Sequence, residues 1–199
     1  MFQVRIHGRG GQGVVTAAEL LSVAAFFDGR WSQAFPSFGS ERTGAPVVGF
    51  CRISDGEIRT REPVSTPDAL IVQDPTLLHQ VDLFSGLRDD GFVLLNTSRP
   101  VEELGLGALT SPRRDGPGIR VITLPATELA IAHTGRPTPN AVLLGGFAAA
   151  GGVVSLDAVA GAIEQRFAGP VARANIAAAT EAFRSVSARW KELDHAPTD

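Results

Sequence analysis

The sequence predicts an α/β protein with a mostly parallel sheet, an inserted antiparallel hairpin and a helical C-terminal third. Three observations point there. Short apolar, β-branched runs alternate with segments of helical period over the first two thirds of the chain. The first run leads straight into Gly8-Arg-Gly-Gly-Gln-Gly13 and then into a helical pattern. From Pro125 onward the pattern is helical throughout.

The elements follow in order. Phe2–Ile6 alternates apolar and polar residues and reads as a strand. Val14–Phe27 has apolar residues at helical spacing, and Asp28-Gly29 ends that helix. Trp31–Phe35 reads as a second strand, broken by Pro36. That strand is expected to lie beside the glycine loop. Val47–Ile53, an Asp55-Gly56 turn and Ile58–Arg61 read as a β-hairpin. Asp68–Val72 is a buried strand, with Asp74 capping and Pro75 opening a short helix. Gly91–Asn96 and Gly118–Thr123 are further strands, joined by an irregular Pro-, Gly- and Ser-rich stretch over Thr97–Pro117. Helices are expected over Ala126–His133, Asn140–Gly151, Leu156–Phe167 with Ser155 as cap, and about Pro170 to Leu193. Residues 1–194 thus read as a single domain and 195–199 as a frayed tail.

Composition excludes several classes of function. A chain of 199 residues with 20% charged residues and a net charge of −3 offers no basic face for nucleic acid. Its single cysteine excludes a disulfide framework, a cysteine-ligated zinc site and a self-contained iron–sulfur cluster. No pair of its four histidines has metal-ligand spacing, so no metal site is expected. Ala141–Val154 is interrupted by four glycines and is too short to span a bilayer. With no leader pattern at the N-terminus, the expected setting is the cytoplasm, free of membrane.

Gly8, Gly10 and Gly13 fit the G-x-G-x-x-G pattern between a strand and a helix. Such a Rossmann-like turn aims helix amides at an open crevice and cradles an anion. A dinucleotide site also requires an acid at the end of the second strand, yet that strand ends Ala34-Phe35-Pro36-Ser37. Close strand–helix packing is the competing account of the same glycines. No Gly-Lys-Ser/Thr follows, so it is no Walker loop. A second loop, Ser37–Pro46, places Glu41 and Arg42 between Gly39 and Gly44. Read alone, it is a solvated loop with a local ion pair. Beside the first, it makes a candidate site at the sheet's carboxyl edge. His7 and Cys51 read as structural, and no Ser–His–Asp grouping supports a hydrolase.

Together the two loops carry a resemblance. Gly8-Arg-Gly-Gly-Gln-Gly13 and Pro36-Ser-Phe-Gly-Ser-Glu-Arg-Thr-Gly-Ala-Pro46, with the strand ending Arg52-Ile-Ser54, resemble the gamma subunit of pyruvate-type 2-oxoacid:ferredoxin oxidoreductases. Pro139-Asn140 before Leu-Leu-Gly-Gly, the Val154-Ser-Leu156 helix start and Asn175 extend the likeness over nearly the whole chain. Departures are Ser40, where the family usually has proline, and Thr43, where it often has arginine or glycine. The Arg-Thr-Gly-Ala-Pro form differs from the Gln-Arg-Gly-Gly of indolepyruvate-type subunits.

The resemblance implies a complex that converts a 2-oxoacid such as pyruvate, with coenzyme A, to acyl-CoA, carbon dioxide and reduced ferredoxin. Thiamine diphosphate belongs to alpha and beta partner subunits, and iron–sulfur clusters lie elsewhere, often on a ferredoxin-like delta subunit. This chain would hold no cofactor alone and show no turnover alone. Its implied part is assembly and the coenzyme A site. The residues implied are Gly8, Arg9, Gly10, Gly11, Gln12 and Gly13 in the first loop, and Gly39, Glu41, Arg42 and Gly44 in the second. Arg42 would pair with a coenzyme A phosphate or a partner carboxylate; the bland alternative pairs it with Glu41. Asn140 either just opens its helix or touches a neighbouring subunit. Two other readings stay open: a free-standing nucleotide-binding module, and a pure interaction scaffold.

Overall fold

The computed structural model describes residues 1–37, 43–111 and 118–194. Strand β1 (Phe2–Arg9) leads through the glycine turn into α1 (Val14–Phe27), then β2 (Trp31–Pro36) and β3 (Pro46–Ser54). β4 (Ala69–Val72), a 3₁₀ turn (Pro75–His79) and β5 (Phe92–Asn96) follow. A second 3₁₀ turn (Val101–Leu104) and the short α2 (Gly107–Thr110) lie in the connection read as irregular, ahead of β6 (Arg120–Leu124). The chain closes with α3 (Ala126–Thr134), α4 (Asn140–Gly151), α5 (Leu156–Arg166) and α6 (Gly169–Asp194). The expected frayed tail, 195–199, lies outside the described residues.

The six strands form one sheet in the order β2-β3-β1-β4-β5-β6. β1, β4, β5 and β6 are parallel, and β3 runs against both of its neighbours. The antiparallel hairpin is therefore present, but its partner strand differs from expectation. β3 pairs with β2, from Trp31↔Ser54 to Pro36↔Gly49, while residues 58–61 form no strand. With β1 on one edge of β3 and β2 on the other, no backbone edge remains for residues 58–61. The same insertion separates β2 from the glycine turn, so the expected β1–β2 adjacency does not hold.

Strand side chains alternate between two cores. Val4, Ile6, Cys51, Ile71, Leu94 and Ile122 face the helices. Leu70, Val72, Val93, Leu95 and Val121 face the other way, onto Leu77, Leu83, Leu104 and Leu106 of the turns and loops. α4 is apolar all round because it is enclosed by neighbours, with Ala141 through Ala148 buried. At Gly145 a Cβ would fall 2.1 Å from the Ala179 carbonyl oxygen, so only glycine lets α4 lie this close to α6. Ser155 Oγ accepts from the Ala158 amide at 3.0 Å and caps α5 as expected.

Candidate functional site

The glycine turn lies at the carboxyl ends of β1 and β4. This is the place where the connections leaving adjacent parallel strands diverge and where open α/β sheets bind ligands. Its glycines have separate tasks. Gly8 is still within β1, paired with Val47, and a Cβ there would stand 2.6 Å from Val14 Cγ2. Gly8 therefore serves strand–helix packing. Gly11 (φ 94°) and Gly13 (φ 76°) take left-handed conformations that only glycine adopts cheaply. Gly13 caps α1 with no side-chain hydrogen bond, and the first backbone bond into the helix is Ala17 N–H to the Gly13 carbonyl. The amides of the first turn thus keep the partial positive charge of an uncapped helix start.

The second glycine loop meets the first at its far end. Gly10 N–H donates to the Ala45 carbonyl at 2.9 Å, and Gly44 N–H donates to the Gly10 carbonyl at 3.1 Å. Thr43 forms a bridge with Gly10, and Gly44 has φ 81°. The expected juxtaposition of two glycine loops is present among the described residues. Gly39, Glu41 and Arg42 lie outside them.

Arg9 and Gln12, expected to face a ligand or a partner, turn toward Asp74 just beyond β4. Arg9 Nε lies 3.0 Å and Gln12 Nε2 2.8 Å from Asp74 Oδ2. Asp74 Oδ1 accepts from the Thr76 amide at 3.0 Å and from Thr76 Oγ1 at 2.6 Å. Arg9 also donates to the Gly44 carbonyl at 3.0 Å, Thr76 Oγ1 at 2.6 Å and Gln80 Oε1 at 2.9 Å. Gln12 Oε1 accepts from the Arg9 amide at 2.7 Å, closing the turn on itself. Burial alone would raise the Asp74 carboxyl. The bonds from Thr76 and Gln12 and the charge of Arg9 outweigh that and hold it below its ordinary range. Beyond the Pro75–His79 turn, a cavity of about 450 Å³ is lined by residues including Thr76, His79, Thr97 and Arg99.

A second polar layer lies beneath. Gln73, 2% exposed, donates from Nε2 to Asn140 Oδ1 at 2.9 Å, and Asn140 Nδ2 donates to the Gly13 carbonyl at 3.2 Å. Asn140 thus does more than open α4. Asn96 Nδ2 donates to the Gln73 carbonyl at 2.7 Å and to Thr127 Oγ1 at 2.8 Å, while its Oδ1 accepts from the Thr127 amide at 3.0 Å. Residue-by-residue reading singled out none of Gln73, Asn96 or Thr127, and gave Asp74 only a capping role. The available signal was a polar residue directly after each buried strand: Gln73-Asp74 after one, Asn96-Thr97 at the end of the next.

His7 is buried near the end of β1, its Nε2 without a partner among the described residues. Burial, with Arg5 nearby, pushes its pKa down to about 4, so it is neutral at physiological pH. Cys51 is fully buried and burial pushes its thiol far up, which removes it as a nucleophile. Among the described residues, no group of three or more His, Cys, Asp or Glu is arranged to hold a metal ion, and no helix is long and apolar enough to cross a membrane. With β3 inserted between β1 and β2, the end of the second strand is removed from the glycine turn, where a dinucleotide's ribose would need an acid.

The comparisons agree with one another. The family model described as pyruvate ferredoxin/flavodoxin oxidoreductase matches residues 3–185. Pyruvate synthase subunit PorC of Methanothermobacter thermautotrophicus is 45% identical over 186 residues, covering 94% of this chain and 96% of that one. The pyruvate/ketoisovalerate oxidoreductases common subunit gamma of Pyrococcus furiosus is 42% identical over 183 residues, covering 92% and 96%. The crystal structure of pyruvate oxidoreductase subunit PORC from Thermotoga maritima superposes with a TM-score of 0.76 at 34% identity, covering 92% and 95%.

Proposed function

From its place in the pyruvate ferredoxin/flavodoxin oxidoreductase family, to which the chain belongs as a gamma-type subunit, we propose that the double glycine edge forms one wall of a coenzyme A site. The observation that carries this reading is the joining of two glycine loops at the carboxyl end of β1, beside the uncapped start of α1. Coenzyme A is rich in phosphate. An uncapped helix start binds such anions through oriented dipoles. Arg42, next in sequence to Thr43, adds a guanidinium whose planar fork suits a phosphate.

In the complex, partner subunits bring together the 2-oxoacid and thiamine diphosphate, and electrons leave through clusters to ferredoxin. This chain's single cysteine lies fully buried, so the residues present do not fit a cluster. Its own task is to bind and orient coenzyme A for acyl transfer and to hold the assembly together. The partners proposed are alpha and beta thiamine-diphosphate subunits and a ferredoxin-like delta subunit, in the cytoplasm. The choice of 2-oxoacid falls to those partners. A relative named as common to pyruvate and ketoisovalerate oxidoreductases fits that division of labour.

The test is a variant series in the assembled complex. Arg42→Ala is expected to weaken coenzyme A use more than 2-oxoacid decarboxylation. Equal loss of both, or no loss, overturns the proposed site.

A further inference from the structure

Asp74 joins the glycine turn to the turn that follows β4, and through Arg9 it reaches the second loop. Its two oxygens accept four hydrogen bonds: two on Oδ2, from Arg9 and Gln12 of the glycine turn, and two on Oδ1, from Thr76 of the next turn. That uses a carboxylate's full acceptor capacity. Arg9, oriented by Asp74, in turn reaches the Gly44 carbonyl of the second loop and Gln80 at the end of the 3₁₀ turn. Counted with Thr76, four of the five guanidinium N–H donors have acceptors inside the chain. The pair is largely shielded from water, with side chains 22% and 12% exposed. An arginine so fully engaged is a brace more than a ligand for incoming phosphate. Removing Asp74's charge strips Arg9 of its ionic partner and leaves the contact to Gly44 without a fixed geometry.

We propose that Asp74 is a positioning residue: through Arg9 and Gln12 it presets the glycine turn and the 43–46 segment against each other before any ligand arrives. Preorganisation of this kind lowers the ordering cost of binding. The inference deepens, and rests on, the coenzyme A reading of this edge. Lysine in place of Arg9 keeps a charge but lacks the planar fork that spans Asp74 and Gly44 at once. Two substitutions of different chemistry therefore break the same brace.

The experiment takes Asp74→Asn and Arg9→Lys in the full chain and then in the assembled complex. In the full chain, amide hydrogen exchange at Gly10 and Gly44 is expected to speed up about tenfold in both variants, with Ala179 in α6 unchanged. In the complex, KM for coenzyme A is expected to rise about tenfold while kcat at saturating coenzyme A stays within about twofold. The double variant should be no worse than either single one, as for two members of one brace. Unchanged exchange at Gly10 and Gly44 in both variants overturns the proposal. Faster exchange with an unchanged coenzyme A KM retains Asp74 as the brace and overturns the coenzyme A reading of the edge. Should Asp74→Asn fail to fold, Arg9→Lys carries the same readouts.

Discussion

Asn140, the first residue of α4, donates from Nδ2 to the carbonyl of Gly13, the cap of α1, at 3.2 Å. The two residues are 127 positions apart in sequence. A Cβ on Gly13 would fall 2.5 Å from that same nitrogen, so the glycine makes room for the contact as well as for its own φ. The start of α4 is thus fastened to the glycine turn.

Asn140→Ala leaves the buried Gln73 amide without its acceptor and the Gly13 carbonyl with only its bond from the Ala17 amide. A loss of about 2 kcal/mol in chemical unfolding is expected, from the desolvation of the amide left unpaired. Asn140→Asp is expected to be at least as harmful, because it sets a carboxylate oxygen against the Gly13 carbonyl. A loss under about 0.5 kcal/mol for both variants would remove this contact from the account.

Gly145 predicts a packing failure. In Gly145→Ala the added methyl meets the Ala179 backbone, which has no rotamer to yield with. α4 and α6 must move apart, at a cost of about 3 kcal/mol or more. For a chain of this size that lowers Tm by roughly 6–12 °C. Calorimetry showing an unchanged Tm would contradict the close approach of the two helices.

His7 predicts a pH dependence with a defined sign. Its folded pKa is near 4 and its ordinary value near 6.5. Below about pH 6.5 the unfolded chain takes up a proton that the folded chain refuses until about pH 4. Stability is therefore fullest above that window and declines as pH falls through it, by about 3 kcal/mol in all. Urea unfolding between pH 6.5 and 5, above the main carboxylate range, should show the decline. His7→Gln should flatten it; an equal slope in the variant would assign the effect to other groups.

Much of this fold is legible from local signals. Helices α1 and α4 fall where their periodicity and flanking glycine and proline place them, and the Asp74 and Ser155 caps form as their positions suggest. The hairpin is the instructive difference. Asp55-Gly56 is a strong local turn signal, but strand pairing is decided by which edges are free. β2 reaches β3 through a longer loop and occupies that edge. The glycine edge was visible as two motifs. Its brace was not, because Arg9 and Asp74 are 65 positions apart and only the parallel pairing of β1 with β4 brings them together. The Gln73–Asn140–Gly13 layer is hidden for the same reason.

The most direct measurement is the coenzyme A-dependent oxidation of 2-oxoacid by the reconstituted partner subunits, with this chain added or omitted. The account predicts acyl-CoA formation and ferredoxin reduction when the chain is present, their loss when it is omitted, and no turnover by the chain alone. Equal acyl-CoA formation with and without the chain would contradict it.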